Sequence, residues 1–294
     1  MKPLSSPPIG EPIVIDAHGR HAQAVAFTKD GKHLVSVGQD ACVRLWSVPN
    51  FQADGEFEGH GNSVNSLSFS PDGSLLATGS TDGTVRVWSF PQGKCLHVLV
   101  KQLTARFSPD GTHIAAISAK GRIVLWDARA GKEVKTLPVL DKRITSIAFT
   151  SDAATLLVGG TGPVHRVSLP EGKKEGELAG HKAVVACLCI TPDGTLLAST
   201  GGDGLLRLWS TEDWSEVRKV ELRAGGVFQL AIARKGDFVT VSADNLIQTI
   251  SIKDGKVVGR IEIQVKGVYG LAISPDGRYL ANAAADGKVR VWER

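Results

Sequence analysis

The chain has 294 residues, 42% of them hydrophobic and 22% charged, with a formal net charge of +4. Thirty-three Gly against a single Met point to many turns and not to long helices. The basic residues fall in pairs such as Lys173-Lys174 and Arg218-Lys219 and form no long run, so no nucleic-acid partner is expected, and without an apolar run of about 18 residues no membrane contact is expected.

The N-terminus, MKPLSSPPIGEP, has Pro and Ser where a signal sequence needs an apolar core, and reads as an extended lead-in over residues 1–11. A single domain is expected over 12–294. Pro12-Ile13-Val14-Ile15 is a short β-rich segment with no local partner. The stretch Ser68 to Trp88, SFSPDGSLLATGSTDGTVRVW, is the pattern that the remainder copies. Pro71 and Gly73 make a turn, Leu75-Leu76-Ala77 opens a strand, and Asp82-Gly83 reverses the chain. Val85 and Val87 then alternate with Thr84 and Arg86 in a strand ending on Trp88.

Three markers recur in register. The turn glycine appears at Gly31, Gly73, Gly111, Gly194, Gly236 and Gly277, with Ala153 in the fourth place. An apolar residue precedes each turn, at Phe27, Phe69, Phe107, Phe149, Ile190, Ile232 and Ile273. The third strand ends on Trp46, Trp88, Trp126, Val167, Trp209, Ile250 and Trp292. Seven repeats of about 40 residues, each with four short strands, predict an all-β, seven-bladed β-propeller of antiparallel blades. The last repeat ends after its third strand, so the segment at Ile13–Ile15 is expected to complete the last blade and close the ring.

These repeats resemble the WD40 family from about Ala17 to Arg294, on the Gly59-His60 and Gly180-His181 loops, the SPDG turns, the LATGSTDGTVRVW-type segments and the single Trp126-Asp127 dipeptide. The resemblance implies structural tetrads of His, hydroxyl, Asp and Trp. They map onto His18, Ser36, Asp40 and Trp46; His60, Thr78, Asp82 and Trp88; and His181, Ser199, Asp203 and Trp209. The third repeat has Lys120 at the Asp position and a shorter loop before Phe107. In the fourth, Thr161-Gly162-Pro163 replaces the Asp turn. The sixth is read as keeping Thr240 and Asp244 with Arg223 for His, and the seventh has Asn282 and Gln264 for the hydroxyl and His.

His, Ser and Asp together also suggest a hydrolase triad, but an active site occurs once, whereas this group recurs with a Trp at a constant offset. No GxSxG elbow or phosphate loop is present. The first strands, AVAF, VNSLSF, TARFS, TSIAF, VACLCI, QLAI and GLAI, lack Asp, Glu and His, so no metal or cofactor is expected along a central channel. Cys187 and Cys189 read as buried small hydrophobes.

The family binds proteins and peptides on its narrower face. Mapping its exposed positions onto this chain gives His21, Gln23, Asn65, Lys101, Leu103, Arg143, Phe228 and Tyr269 as partner-binding candidates, with Ala243 and Ala285 among the exposed turn positions. Lys101 and Arg143 would form a cationic arc, and Phe228 with Tyr269 an aromatic pair, suited to an acidic segment with an apolar anchor. The reading is a non-catalytic, monomeric, cytoplasmic interaction scaffold; the alternative is a hydrolase or isomerase with a site at the channel mouth.

Overall fold

The structure, a computed structural model, describes residues 10–138, 141, 143–222, 227–233, 236–265 and 267–294, with the backbone alone described at Val227 and Phe228. The strands run in chain order. β1 (Ile13–Asp16) precedes blade 1, which is β2 (Ala22–Phe27), β3 (His33–Gly38), β4 (Val43–Ser47) and β5 (Ala53–Phe57). Blade 2 is β6 (Val64–Phe69), β7 (Leu75–Ser80), β8 (Thr84–Ser89) and β9 (Cys95–Val100). Blade 3 is β10 (Gln102–Phe107), β11 (His113–Ser118), β12 (Ile123–Asp127) and β13 (Glu133–Thr136). Blade 4 is β14 (Ser146–Phe149), β15 (Thr155–Gly159), β16 (Val164–Ser168) and β17 (Lys174–Leu178). Blade 5 is β18 (Val185–Ile190), β19 (Leu196–Gly201), β20 (Leu205–Ser210) and β21 (Glu216–Glu221). Blade 6 is β22 (Val227–Ile232), β23 (Phe238–Ala243), β24 (Leu246–Ser251) and β25 (Val257–Glu262). The last three strands are β26 (Val268–Ile273), β27 (Tyr279–Ala284) and β28 (Lys288–Glu293).

Each blade is a four-stranded antiparallel sheet in sequence order, and the seventh has the order β1-β28-β27-β26. The fold is a seven-bladed β-propeller, and the N-terminal strand supplies the missing strand of the last blade. Ile13 lies opposite Val291, and Asp16 opposite Lys288, whose ammonium is 3.0 Å from the Asp16 carboxylate. Two compact units are distinguished. One gathers β1 to β13 with Ala281–Val291; the other gathers β14 to β26 with Trp292–Arg294.

The turn after the first strand has a common mechanism in blades 1 to 5 and 7. In blade 2 the Asp72 carboxylate accepts from the Ser70 hydroxyl at 2.6 Å and the Ser74 amide at 3.0 Å, while Gly73 takes φ +75°. Those donors hold the Asp72 carboxyl down at about 2. The same Ser/Thr-x-Asp clasp is made by Thr28 with Asp30, Ser108 with Asp110, Thr150 with Asp152, Thr191 with Asp193 and Ser274 with Asp276. Ala153 keeps the left-handed backbone of the replaced glycine, at φ +58°.

Apolar faces of the strands form the cores. In the first unit Val35, Leu45, Phe57, Leu67, Leu76 and Trp88 make one buried cluster, with Phe57 and Trp88 rings 5.7 Å apart. In the second, Leu157, Val164, Leu188, Leu197 and Trp209 make another. Alternation along each strand places these residues on the covered side of the pleat.

Candidate functional site

In three blades the four tetrad residues meet. Trp46 Nε1 donates to Ser36 Oγ at 2.9 Å, Ser36 Oγ lies 2.9 Å from His18 Nε2, and His18 Nδ1 lies 2.8 Å from Asp40. In blade 2 the steps are Trp88 to Thr78 at 2.8 Å, Thr78 to His60 at 2.8 Å and His60 to Asp82 at 2.9 Å. In blade 5 they are Trp209 to Ser199 at 2.8 Å, Ser199 to His181 at 2.9 Å and His181 to Asp203 at 3.0 Å.

The direction of the chain follows from the indole, which can only donate. The hydroxyl accepts there and passes its own hydrogen to His Nε2, so the neutral imidazole carries its proton on Nδ1 and donates it to Asp. Burial pushes the pKa values of His18, His60 and His181 below the ordinary histidine value, against the opposing pull of each Asp. Asp82 is held well below the usual carboxylate range by donors from Thr84, Gly61 and His60, which outweigh its partial burial. The hydroxyls of Ser36, Thr78 and Ser199 belong to residues with no solvent exposure, and each is spent on an indole and an imidazole. A nucleophile needs an open face toward its substrate, so these groups brace the loops and do not attack.

Sequence reasoning missed a further member of this arrangement, the arginine two residues before the tryptophan. Arg44 Nη1 donates to the Ala17 carbonyl at 2.9 Å and to Asp40 at 2.6 Å, and Arg207 Nη2 donates to the Gly180 carbonyl at 2.8 Å. Its signal was present as the R-x-W spacing of VRLW, VRVW and LRLW. The arginine packs against the glycine of the Gly-His loops, a position that blade 1 fills with Ala17. A Cβ on Gly59 would lie 2.8 Å from Arg86 Nη1 at φ +145°, and one on Gly180 2.8 Å from Arg207 Nη1.

The first strands carry a second recurring device. The pairing of first and second strands slips by one residue between Ala22 and Ala24, Val64 and Ser66, Gln102 and Thr104, Val185 and Cys187, and Val227 and Gln229. The skipped residues are Gln23, Asn65, Leu103, Ala186 and Phe228. A bulge takes its residue out of the ladder and re-aims the side chain. Asn65 is exposed, Gln23 and Leu103 are half-buried, and the Phe228 side chain lies outside the described residues. Lys101 and Arg143 are exposed, while His21 and Tyr269 are half-buried.

Five segments of the chain, 11–47, 52–89, 93–127, 172–210 and 255–293, match the model of the WD domain, G-beta repeat. The chain belongs to the WD40 family. The first matched segment spans β1 to β4, so a WD40 sequence repeat begins in one blade and ends in the next. Proteins of this family are generally non-catalytic, and their propellers typically serve as interaction scaffolds.

The two longest stretches outside the matched segments are 128–171 and 211–254. These hold the first three strands of blades 4 and 6, the two WD40 blades whose second hairpin is one residue shorter. Leu156 faces Val167, and Val239 faces Ile250, eleven residues apart, where Leu34 and Trp46 are twelve apart. This corrects the reading of the sixth repeat. Register puts Val241, not Thr240, at the hydroxyl position, and the Thr240 hydroxyl pairs with that of Thr249 at 3.2 Å. Asp244 belongs to a tight two-residue reversal with φ +49° and is no tetrad acid; Arg223 lies outside the described residues. The same shortening buries Ala243, expected to be exposed, at 2% exposure as the last residue of β23. Ala285 is half-buried.

In blade 4 of this WD40 protein the carboxylate has changed sides. Asp141, before the first strand, accepts from the Gly162 amide at 3.0 Å and from the Thr161 hydroxyl, bridging to the turn that lost its own Asp. In blades 2 and 5 the turn supplies the acid, and Asp82 and Asp203 reach back to the amides of Gly61 and Lys182 at 3.0 Å. No motif spacing announces Asp141. In blade 3, Trp126 Nε1 is buried without an acceptor among the described residues, because Ala116 occupies the hydroxyl position. Asn282 of β27 is fully buried with neither amide atom paired among the described residues. Those residues hold no cluster of three or more His, Cys, Asp or Glu able to bind a metal, and no helix long and apolar enough to cross a membrane.

Proposed function

We propose that this WD40 propeller is a non-catalytic platform, working as a monomer in the cytoplasm, that holds a protein or peptide segment on the inter-blade loops and bulged first-strand residues. The observation that supports this reading is the bulge. It recurs at Gln23, Asn65, Leu103, Ala186 and Phe228 and takes each of these residues out of the ladder at the start of a first strand. The tetrads, by contrast, are internally satisfied and carry none of the recognition. Within the first unit Asn65, Gln23, Leu103, His21 and the cation of Lys101 form the recognition set, which suits a segment carrying a carboxylate. Within the second, Arg143, Phe228 and Tyr269 play the corresponding part, with the aromatic side chains as apolar anchors.

The test is capture of native partners by immobilised wild type and by two variants, Gln23→Ala/Asn65→Ala/Leu103→Ala and Phe228→Ala/Tyr269→Ala. Loss of captured partners from each variant, with melting curves like wild type, is the expected result. Undiminished capture by well-folded variants overturns the placement. A panel of hydrolase and isomerase substrates run alongside addresses the enzymatic alternative, and the reading expects no turnover with or without a chelator.

A further inference from the structure

The fourth strand of each blade is a sheet edge, with backbone groups on one side that pair with no strand of its own sheet. Proteins blunt such edges with charge. Asp54 and Glu56 stand on β5, Glu133 and Lys135 on β13, Glu175 and Glu177 on β17, Lys219 and Glu221 on β21, Arg260 and Glu262 on β25, and Asp16 on β1. β9, CLHVLV, carries no Asp, Glu, Lys or Arg. Its alternate residues Leu96, Val98 and Val100 are 41%, 46% and 56% exposed, while Leu99 between them is fully buried. An apolar row on an uncharged edge is the surface onto which an extended chain adds a strand.

The approach to this edge is also open. A single residue, Lys101, joins β9 to β10, where at least five residues link the corresponding strands elsewhere. Lys101 is exposed and sits at φ +64°. At its other end β9 begins after exposed Lys94 and opens on a cavity of about 410 Å³ lined by Leu75, Leu96, His97, Ala128, Asp72 and Asp110. Both carboxylates there are engaged by their own turns, Asp72 by Ser70 and Ser74, and Asp110 by Ser108 and Thr112.

Charge selects the occupant. Antiparallel self-pairing centred on Val98 would bring Lys94 of one copy toward Lys101 of the other at both ends. Three exposed apolar residues also fall short of the roughly 800 Å² per partner that a stable dimer buries. A different chain with a carboxylate opposite Lys101 turns the same end from repulsive to attractive. We propose that β9 is an acceptor edge for an extended antiparallel segment of a partner protein. That segment carries apolar side chains at alternate positions and a carboxylate at its N-terminal end, opposite Lys101. Its terminal apolar side chain enters the cavity beside Leu96. This site uses Leu96, Val98 and Val100, outside the loop and bulge set proposed above, and shares only Lys101 with it, so Val98→Lys and Leu96→Asp test the edge apart from that set.

The probe is a displayed library of random short peptides selected on the whole protein. Two variants copy residues that other blades carry at the same register: Val98→Lys, after Lys219 of blade 5, and Leu96→Asp, after Asp54 of blade 1. Both are therefore compatible with a folded blade, and thermal melts verify it. Selected peptides should show alternating apolar residues led by Asp or Glu. Their affinity should fall at least about ten-fold for Val98→Lys and Leu96→Asp, as an edge blocked by charge predicts, and fall again for Lys101→Glu. Peptides without that pattern, or binding equal for wild type and Val98→Lys, overturn the proposal. So does a concentration-dependent dimer abolished by Val98→Lys, because β9 would then be occupied by a second copy. Loss of peptide binding in the Gln23→Ala/Asn65→Ala/Leu103→Ala variant with retention in Val98→Lys would assign the peptides to the loops and reject the edge.

Discussion

Trp126 is half-buried, but its Nε1 is buried like those of its counterparts in blades 1, 2 and 5, and Ala116 stands at the register position where they have a hydroxyl. A buried donor left without an acceptor costs on the order of 1–3 kcal/mol. Ala116→Ser places an oxygen at the position of Ser36, and urea unfolding should show a gain of about 1 kcal/mol; a loss would mean that the added atom is not accommodated. Histidine chemistry gives a second prediction at this scale. His18, His60 and His181 have folded pKa values below the unfolded value near 6.5, so the unfolded chain takes up protons first as pH falls. Their contribution is complete above about pH 6.5 and drains away as pH drops toward the folded values. The carboxyls of Asp40, Asp82 and Asp203, lowered from 3.8, add a second loss below about pH 4. Melting temperature should therefore decline from about pH 7 to about pH 5 before acid unfolding proper. A flat profile over that interval contradicts neutral, buried imidazoles.

At the scale of the strand and its turn, Ala153 holds φ +58° in the one first turn of the first five blades that lacks a glycine. An L-residue with a Cβ pays roughly 1 kcal/mol for that backbone, and glycine does not. Ala153→Gly should raise the melting temperature by a few degrees, whereas a lowered one would show the turn to be unstrained. The turns and the strand order were legible in the sequence because each rests on local spacing of Pro, Gly and apolar residues, and three complete tetrads because their residues match the WD40 pattern, with ten residues from hydroxyl to indole. Thr240 was misplaced for the same reason. Counting back from Ile250 assumes a hairpin of constant length, and the Asp244-Asn245 reversal is one residue tighter, which moves Val241 into the hydroxyl position and buries Ala243. Asp141 escaped because its partners Thr161 and Gly162 lie across a loop, where sequence spacing carries no information about approach. The bulges at Gln23, Asn65 and Leu103 were equally silent, since an extra residue in one strand is defined only by its pairing partner.

For the whole molecule, β1 ties the N-terminal segment to the C-terminal one through Ile13–Asp16 against Lys288–Val291. Removing residues 1–16 strips one strand from the last blade and should lower the melting temperature sharply; an unchanged melt would show that this pairing contributes little. The same economy runs through the fold: the tetrad groups that repeat in blades 1, 2 and 5 are committed to one another. Equilibrium urea unfolding of the Ser36→Ala/Thr78→Val/Ser199→Ala variant tests that commitment most directly. If the tetrads are braces, each change strands an indole and an imidazole, and the unfolding midpoint falls by the equivalent of about 3 kcal/mol or more. A midpoint equal to that of wild type would contradict the account.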